Sequence, residues 1–140
     1  MLRVVVIGPD KPVYNEADAA EAITPGHVVA LNNLAKAIKN TAVDIVTPIT
    51  VAVENDIFGK GLDDAYAIND RVIYQHLRAG CEFMALVPAA APAIAFGDPI
   101  SLVTGGCVAK GTLATAIGKA RQAVDNSGGG SAVRLRVLVA

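Results

Sequence analysis

Turn-forming residues recur so densely along this chain that they set its architecture before any other property is considered. Among its 140 residues are 7 prolines and 13 glycines, interleaved with Asn and Asp. Proline fixes φ and lacks the backbone donor, so it ends helices and is confined to the edges or bulges of sheets. An α/β sheet needs helices of about ten or more residues between its strands, and few windows here are long enough. The reading is therefore a mainly β chain of about seven to nine short strands with one or two short helices, folded as a small barrel or sandwich.

The local patterns agree. Leu2 to Ile7 is short and β-branched, and Gly8, Pro9 and Pro12 keep the next residues extended. Asn15 is placed to cap a short helical stretch through Ala22, with Asp18 near its positive end. Three segments, beginning at Thr24, Ala67 and Ala95, share one grammar: a turn residue (Gly26, Asn69, Gly97), a polar residue, then strand chemistry. Asp44 to Glu54 is strand-like, with Pro48 limiting it to an edge or bulge. Gly105-Gly106 opens, and Gly111-Thr112 closes, a hairpin strand at Cys107–Lys110. Residues 85–96, rich in alanine but cut by Pro88 and Pro92, read as a close-packed loop or short helix. Residues 34–39 and 117–124 suit strand or helix equally. In the last element, Val133, Leu135, Val137 and Val139 alternate with Arg134, Arg136 and Leu138, the mark of a strand buried on one face. The chain thus divides into an extended N-terminal arm with a short helical turn, residues 1–22, and a single mainly β domain, residues 23–140.

Composition then asks where the apolar residues go. Hydrophobic residues make up 53% and charged residues 18% of the chain, and mean hydropathy is +0.46. Its longest apolar stretch, Met84 to Phe96, is about 13 residues and holds two prolines, below the roughly 18 to 20 needed to span a bilayer. No membrane partner and no secretory leader are read from it, and synthesis in a cytoplasm is expected. With net charge −1 and 4% aromatic residues, nucleic-acid binding through basic patches interleaved with stacking rings is not indicated either. Other protein is the remaining home for apolar surface, so the chain is expected to be a homo-oligomer.

No reactive constellation stands out. Asp63-Asp64, with Glu54 and Asp56, lacks the alternating register of a calcium loop. Gly59-Lys60-Gly61 lacks the Walker pattern. His27 and His76 have no marked nucleophile, although His76 stands five positions before Cys81. Ser101, Ser127 and Ser131 occupy no nucleophile elbow. Cys81 and Cys107 have no metal or redox spacing and read as small buried residues. No catalytic residue, metal or cofactor is therefore expected. Lys110, Lys119, Arg121, Arg134 and Arg136 oppose the acids of 54–64, and such patches suit pairing between neighbouring subunits or contact with a charged lattice.

The strings ITPGHVVAL from Ile23, GKGLDDAYAINDRVIYQHLRAGCEFMALV from Gly59, AFGDPISLV from Ala95 and the ending AVDNSGGGSAVRLRVLVA resemble the small capsid decoration, or cement, proteins of tailed bacteriophages. The resemblance covers most of the chain beyond residue 20 and rests on turns and strands. It implies a non-enzymatic, mainly β virion protein that sits on the capsid exterior, often as a trimer, binds the major capsid protein and reinforces the mature shell by bridging capsomers. It also implies that an N-terminal arm reaches the shell, which here nominates Leu2, Val4, Val6, Pro9, Pro12 and Tyr14 as capsid contacts. Two other readings stand beside it: a small cellular β-barrel binding module, or an enzyme using Asp63, Asp64 or the His76/Cys81 pair; and another virion part, from the tail or the head fibre.

Overall fold

A computed structural model describes residues 3–8, 13–40 and 49–140. In chain order the described residues form β1 (Val5–Ile7), β2 (Tyr14–Asp18), β3 (Val29–Leu31), β4 (Ala37–Lys39), β5 (Ile49–Ala52), a single 3-10 turn η1 (Asp56–Phe58), β6 (Arg71–Leu77), β7 (Glu82–Val87), β8 (Pro99–Val103), a second such turn η2 (Thr104–Gly106), β9 (Cys107–Lys110), β10 (Ala116–Ala120) and β11 (Val133–Val139). A six-stranded sheet runs β1-β7-β11-β10-β8-β9, a three-stranded sheet β2-β6-β5, and β3 and β4 form a hairpin. All ladders within these sheets are antiparallel. Both larger sheets keep open edges, so the choice between barrel and sandwich falls to the sandwich.

Strand alternation builds two cores. Phe83, Ala85, Val87, Leu135 and Val137 point from the large sheet onto Val51, Val53, Ile73 and Leu77 of the three-stranded side, forming the main core. The alternate residues Ala52, Val72 and Tyr74 turn the other way and meet Ala17, Ile23, Val29 and Tyr66 in a second cluster. Because β6 is flanked on both sides and packed on both faces, Val72 through Gln75 are all buried. Tyr66, in the second cluster, donates its hydroxyl to Val53 O at 2.7 Å.

The turn grammar is realised: Gly26, Asn69 and Gly97 all have positive φ, at 99, 70 and 84°, and the strands β3, β6 and β8 come after them. Between β8 and β9 both Gly105 and Gly106 are left-handed (φ 77 and 70°), which a residue with a Cβ adopts only at a cost. The open choices at 34–39 and 117–124 resolve as strand over part of each window, β4 from Ala37 and β10 as far as Ala120, and as turns over the rest. Cys81 and Cys107 are buried and unpaired, as expected. The strand-like character of 44–54 is realised at β5, an edge strand, while residues 41–48 lie outside the described residues.

Three expectations need correction. Residues 15–22 form no helix: Tyr14 to Asp18 pair with Gln75 to Arg71, and a five-residue ladder outcompetes a two-turn helix that is marginal by itself. Residues 85–87 complete β7, paired with β11, and the loop starts only at Pro88; its Ala91 and Ile94 are buried and Ile94 bridges to Val124. The described N-terminal residues are extended, but they belong to the sandwich and do not stand off it. β1 pairs with β7, Val4 is fully buried, and its N–H donates to Glu54 Oε2 at 3.0 Å.

Two outcomes are expected for stability. A Cβ at Gly118 lies 2.1 Å from Leu138 O, backbone of the paired strand, whereas one at Gly128 meets nothing within 4 Å. Gly118→Ala is expected to lose about 1–3 kcal/mol in denaturant unfolding, and Gly128→Ala to match the parent. The second concerns His27, whose Nδ1 accepts the Thr24 N–H at 2.9 Å. Burial first, then Lys39 and Arg134, hold its imidazole at about 4 against an ordinary 6.5, with Glu21 opposing. Between those values the unfolded chain binds the proton and the folded chain does not, so stability falls as pH drops from about 6.5 to about 4. His27→Asn, whose Oδ1 accepts the same N–H, is expected to flatten unfolding midpoints across that window; an unchanged slope would show that other groups cause it.

Candidate functional site

The open edges of the two larger sheets meet at the N-terminal side of the molecule. β1, three residues long and irregular in register, ends the six-stranded sheet beside β7. β2 ends the three-stranded sheet beside β6. An edge strand leaves one row of backbone groups unpaired and is a natural place for another chain to dock. Between the two edges lies a cleft of about 170 Å³ walled by Val5, Gly8, Tyr14 and Asp56, with Glu54 and Gln75 among its lining residues. Gln75 is 2% exposed and Glu54 7%. Arg3 closes one side through an ion pair to Asp56 at 3.1 Å.

Exposed apolar residues adjoin these lining residues along the chain. Val6, Ile7, Val13 and Tyr14 are between 42 and 64% exposed, and Ile57 and Phe58 of η1, next to Asp56, are 79 and 76% exposed. Large apolar side chains gathered at one place on a surface mark an interaction site more than isolated ones do. Arg71 pairs with both Glu16 and Asp18 of β2, at 3.8 and 3.5 Å, and charges along an edge guard against indiscriminate strand pairing.

Of the nominated contacts, Val6 and Tyr14 are exposed and Val4 is buried in the chain's own core. Leu2, Pro9 and Pro12 lie outside the described residues. Exposed Ile7 and Val13 lie within the N-terminal arm without having been named singly, and exposed Ile57 and Phe58 lie outside it. The signal for the last two was present, since an Ile-Phe pair inside the turn-rich loop NDIFGKG has no strand or helix to bury it.

Several of the groups weighed for chemistry make contacts within the fold. Asp63 pairs with Arg134 at 3.2 Å, and Asp64 accepts the Gly61 N–H at 2.7 Å. Gly59 caps η1 in the left-handed conformation. His76 bonds Thr50 Oγ1 at 2.7 Å and sets its ring edge-on to Tyr74. Burial pushes the Cys107 thiol up, away from the reactive thiolate. Ser101 shares its hydroxyl with Thr115. Among the described residues no three His, Cys, Asp or Glu side chains are grouped to hold a metal ion, and no helix is long and apolar enough to cross a membrane. The basic C-terminal patch expected to face a neighbouring subunit is largely satisfied within the chain: Arg121 and Arg136 share buried Glu82, and Lys110 pairs with Asp98 at 2.9 Å. That ammonium, after the Ala95 N–H, holds the Asp98 carboxyl below its usual range.

No protein-family model matches the chain, and no curated protein sequence matches it. Its fold does have a solved counterpart: the head fiber gp8.5 N base of bacteriophage phi29 is similar with a TM-score of 0.59, over 93% of this chain and 95% of that one, at 10% sequence identity. The two share a fold.

Proposed function

We propose that this chain is a structural component of a tailed-phage virion that binds the outside of the mature capsid and stabilises it by bridging neighbouring capsomers, with the major capsid protein as its partner. The observation that carries the proposal is the end-to-end likeness in fold to a phage head fibre base, which meets a sequence resemblance to capsid decoration proteins reached independently. No chemical step belongs to this function. A protein that binds only the mature lattice stabilises that state by its differential affinity, and many copies multiply the effect. The cleft between β1 and β2 is the proposed contact, with Tyr14 on its wall and exposed Val6, Ile7 and Val13 next to its lining residues along the chain. Self-association of the chain, as a trimer, is proposed alongside. A second reading is favoured by the structural neighbour being itself a head fibre base: this chain is then the foot of a head fibre, held to the shell by the same edge.

Cryo-electron microscopy of the parent particle separates these readings by position: density repeated across the shell between capsomers supports decoration, a fibre foot supports the second, and absence from the head removes both. Contact residues need point substitutions, because removing the N-terminal segment also removes buried Val4, worth about 1.5–3 kcal/mol of hydrophobic burial. Val13→Asp with Tyr14→Ala is expected to weaken co-sedimentation with mature shells by tenfold or more, a loss of about 1.4 kcal/mol or more. Leu113→Ser, on the loop after the opposite edge strand β9, is expected to leave coating unchanged. Equal coating by both variants would move the contact away from the β1/β2 edge.

A further inference from the structure

Five polar or charged side chains are buried among the described residues, and three of them are engaged by the chain itself. Glu82 has two arginines, Ser101 shares a hydrogen bond with Thr115, and Asn126 donates to Pro88 O and Ser131 O. The other two, Gln75 and Glu54, are 2 and 7% exposed, and both line the cleft between β1 and β2. The Gln75 amide has no hydrogen-bond partner among the described residues. Glu54 accepts the Val4 N–H on Oε2 at 3.0 Å and has no cation among those residues, since Arg3, at the same cleft, is engaged by Asp56. Buried polar groups are ordinarily bonded and buried charges ordinarily paired. Both exceptions fall at one place.

Neither group is sealed off. Ile73, Gln75 and Leu77 project to the same side of β6, and Ile73 and Leu77 belong to the main core, so Gln75 points between the sheets. Among the described side-chain atoms only Asn55 Oδ1 is both closed to solvent and unbonded. The Gln75 amide and the second oxygen of Glu54 are therefore open to the cleft they line. Its volume, about 170 Å³, is below the roughly 300–1,000 Å³ of pockets for drug-sized ligands and suits a single side chain.

We propose that the cleft receives one arginine side chain from an extended segment of the major capsid protein laid along the β1 or β2 edge. A segment added to a sheet edge alternates its side chains, so every second one faces the space between the sheets. A guanidinium carries five donors in one plane, sheds water more readily than an ammonium and matches the acceptors that Glu54 and Gln75 hold open. The Tyr14 ring, 56% exposed at the cleft, is a platform on which it can stack. The chain makes such a stack within itself, with Arg121 5.4 Å over Phe96. This inference rests on the capsid contact proposed above and names the chemistry that contact uses.

The test is titration of the full chain with N-acetyl-arginine amide, followed by the NMR signals of the Gln75 side-chain amide and Tyr14. N-acetyl-citrulline amide, uncharged and nearly the same shape, is the control. Saturable binding of the arginine probe is expected, at least tenfold tighter than that of citrulline. Glu54→Gln keeps an acceptor for the Val4 N–H, and Gln75→Met nearly keeps the volume. Each is expected to weaken both probe binding and co-sedimentation with mature shells by about tenfold. Gln75→Met is also expected to leave the thermal midpoint unchanged or raised, whereas an amide with a structural role would lower it. A parent that shows no saturable shift, or that binds citrulline equally well, overturns the arginine site and leaves the capsid contact to be judged by Val13→Asp with Tyr14→Ala. Full shell coating by both site variants, with the probe lost, overturns a capsid arginine as the occupant.

Discussion

The pairing of β7 with β11 is the interaction on which the rest of the molecule leans. It matches six residues in unbroken register, from Val133 with Val87 to Leu138 with Glu82, across about fifty positions of sequence. Closing so long a loop is entropically expensive, and the return is that two apolar rows, Phe83-Ala85-Val87 and Leu135-Val137, are laid side by side inside the six-stranded sheet. Every other strand of that sheet is added outward from this pair. The three-stranded sheet then needs only to offer Val51, Val53, Ile73 and Leu77 to a surface already formed. Register is strongly specified here, because a slip of one residue would turn Arg134 and Arg136 into the core.

A chain with few charges uses them as clamps. Glu82, 4% exposed, lies between Arg121 and Arg136, so its buried carboxylate is compensated twice. Removing one partner of such a buried set is costly even where the set itself contributes little net stability. Arg134 works differently. Its guanidinium donates to Pro25 O, Leu62 O and Asp63, fixing two distant loops onto the start of β11. Asn126 does the equivalent for the end of the chain, donating to Pro88 O and Ser131 O. These contacts explain why the basic C-terminal run, so suggestive of a partner, mostly faces inward obligations.

What was legible in the sequence was what local chemistry decides. Positive φ at Gly26, Asn69 and Gly97, the Gly105-Gly106 hairpin and the alternating β11 are set by a few neighbouring side chains. What was not legible depended on distant partners. Tyr14 to Asp18 carry a weak helix-start pattern, and only β6, some sixty residues away, makes them a strand. Val4 and Val6 look alike in sequence, yet Glu54 captures the N–H of one and leaves the other exposed. The candidate surface divides along the same line. Tyr14 and Val6 could be nominated because they are apolar and N-terminal, whereas the unpartnered amide of Gln75 is placed only once β6 stands between β2 and β5.

The apolar surplus also takes a different form from the one composition suggests. An obligate interface would leave a broad apolar sheet face uncovered, as in a core cut in half. Here the faces are largely covered, and the exposed large side chains sit instead at edges and tips: Val6 and Ile7 on β1, Val13 and Tyr14 at β2, Leu34 and Ile68 in turns, Ile57 and Phe58 on η1, Phe96 and Leu113 in loops. The turns carrying Leu34 and Ile68 are tied together by a Lys36 Nζ to Asn69 Oδ1 bond of 3.3 Å. Small contacts distributed around a rigid sandwich are individually weak, and they gain strength when several are made at once on a fixed array, where each engaged site raises the effective concentration of the next. Such a distribution also keeps the isolated chain free of a single large sticky face.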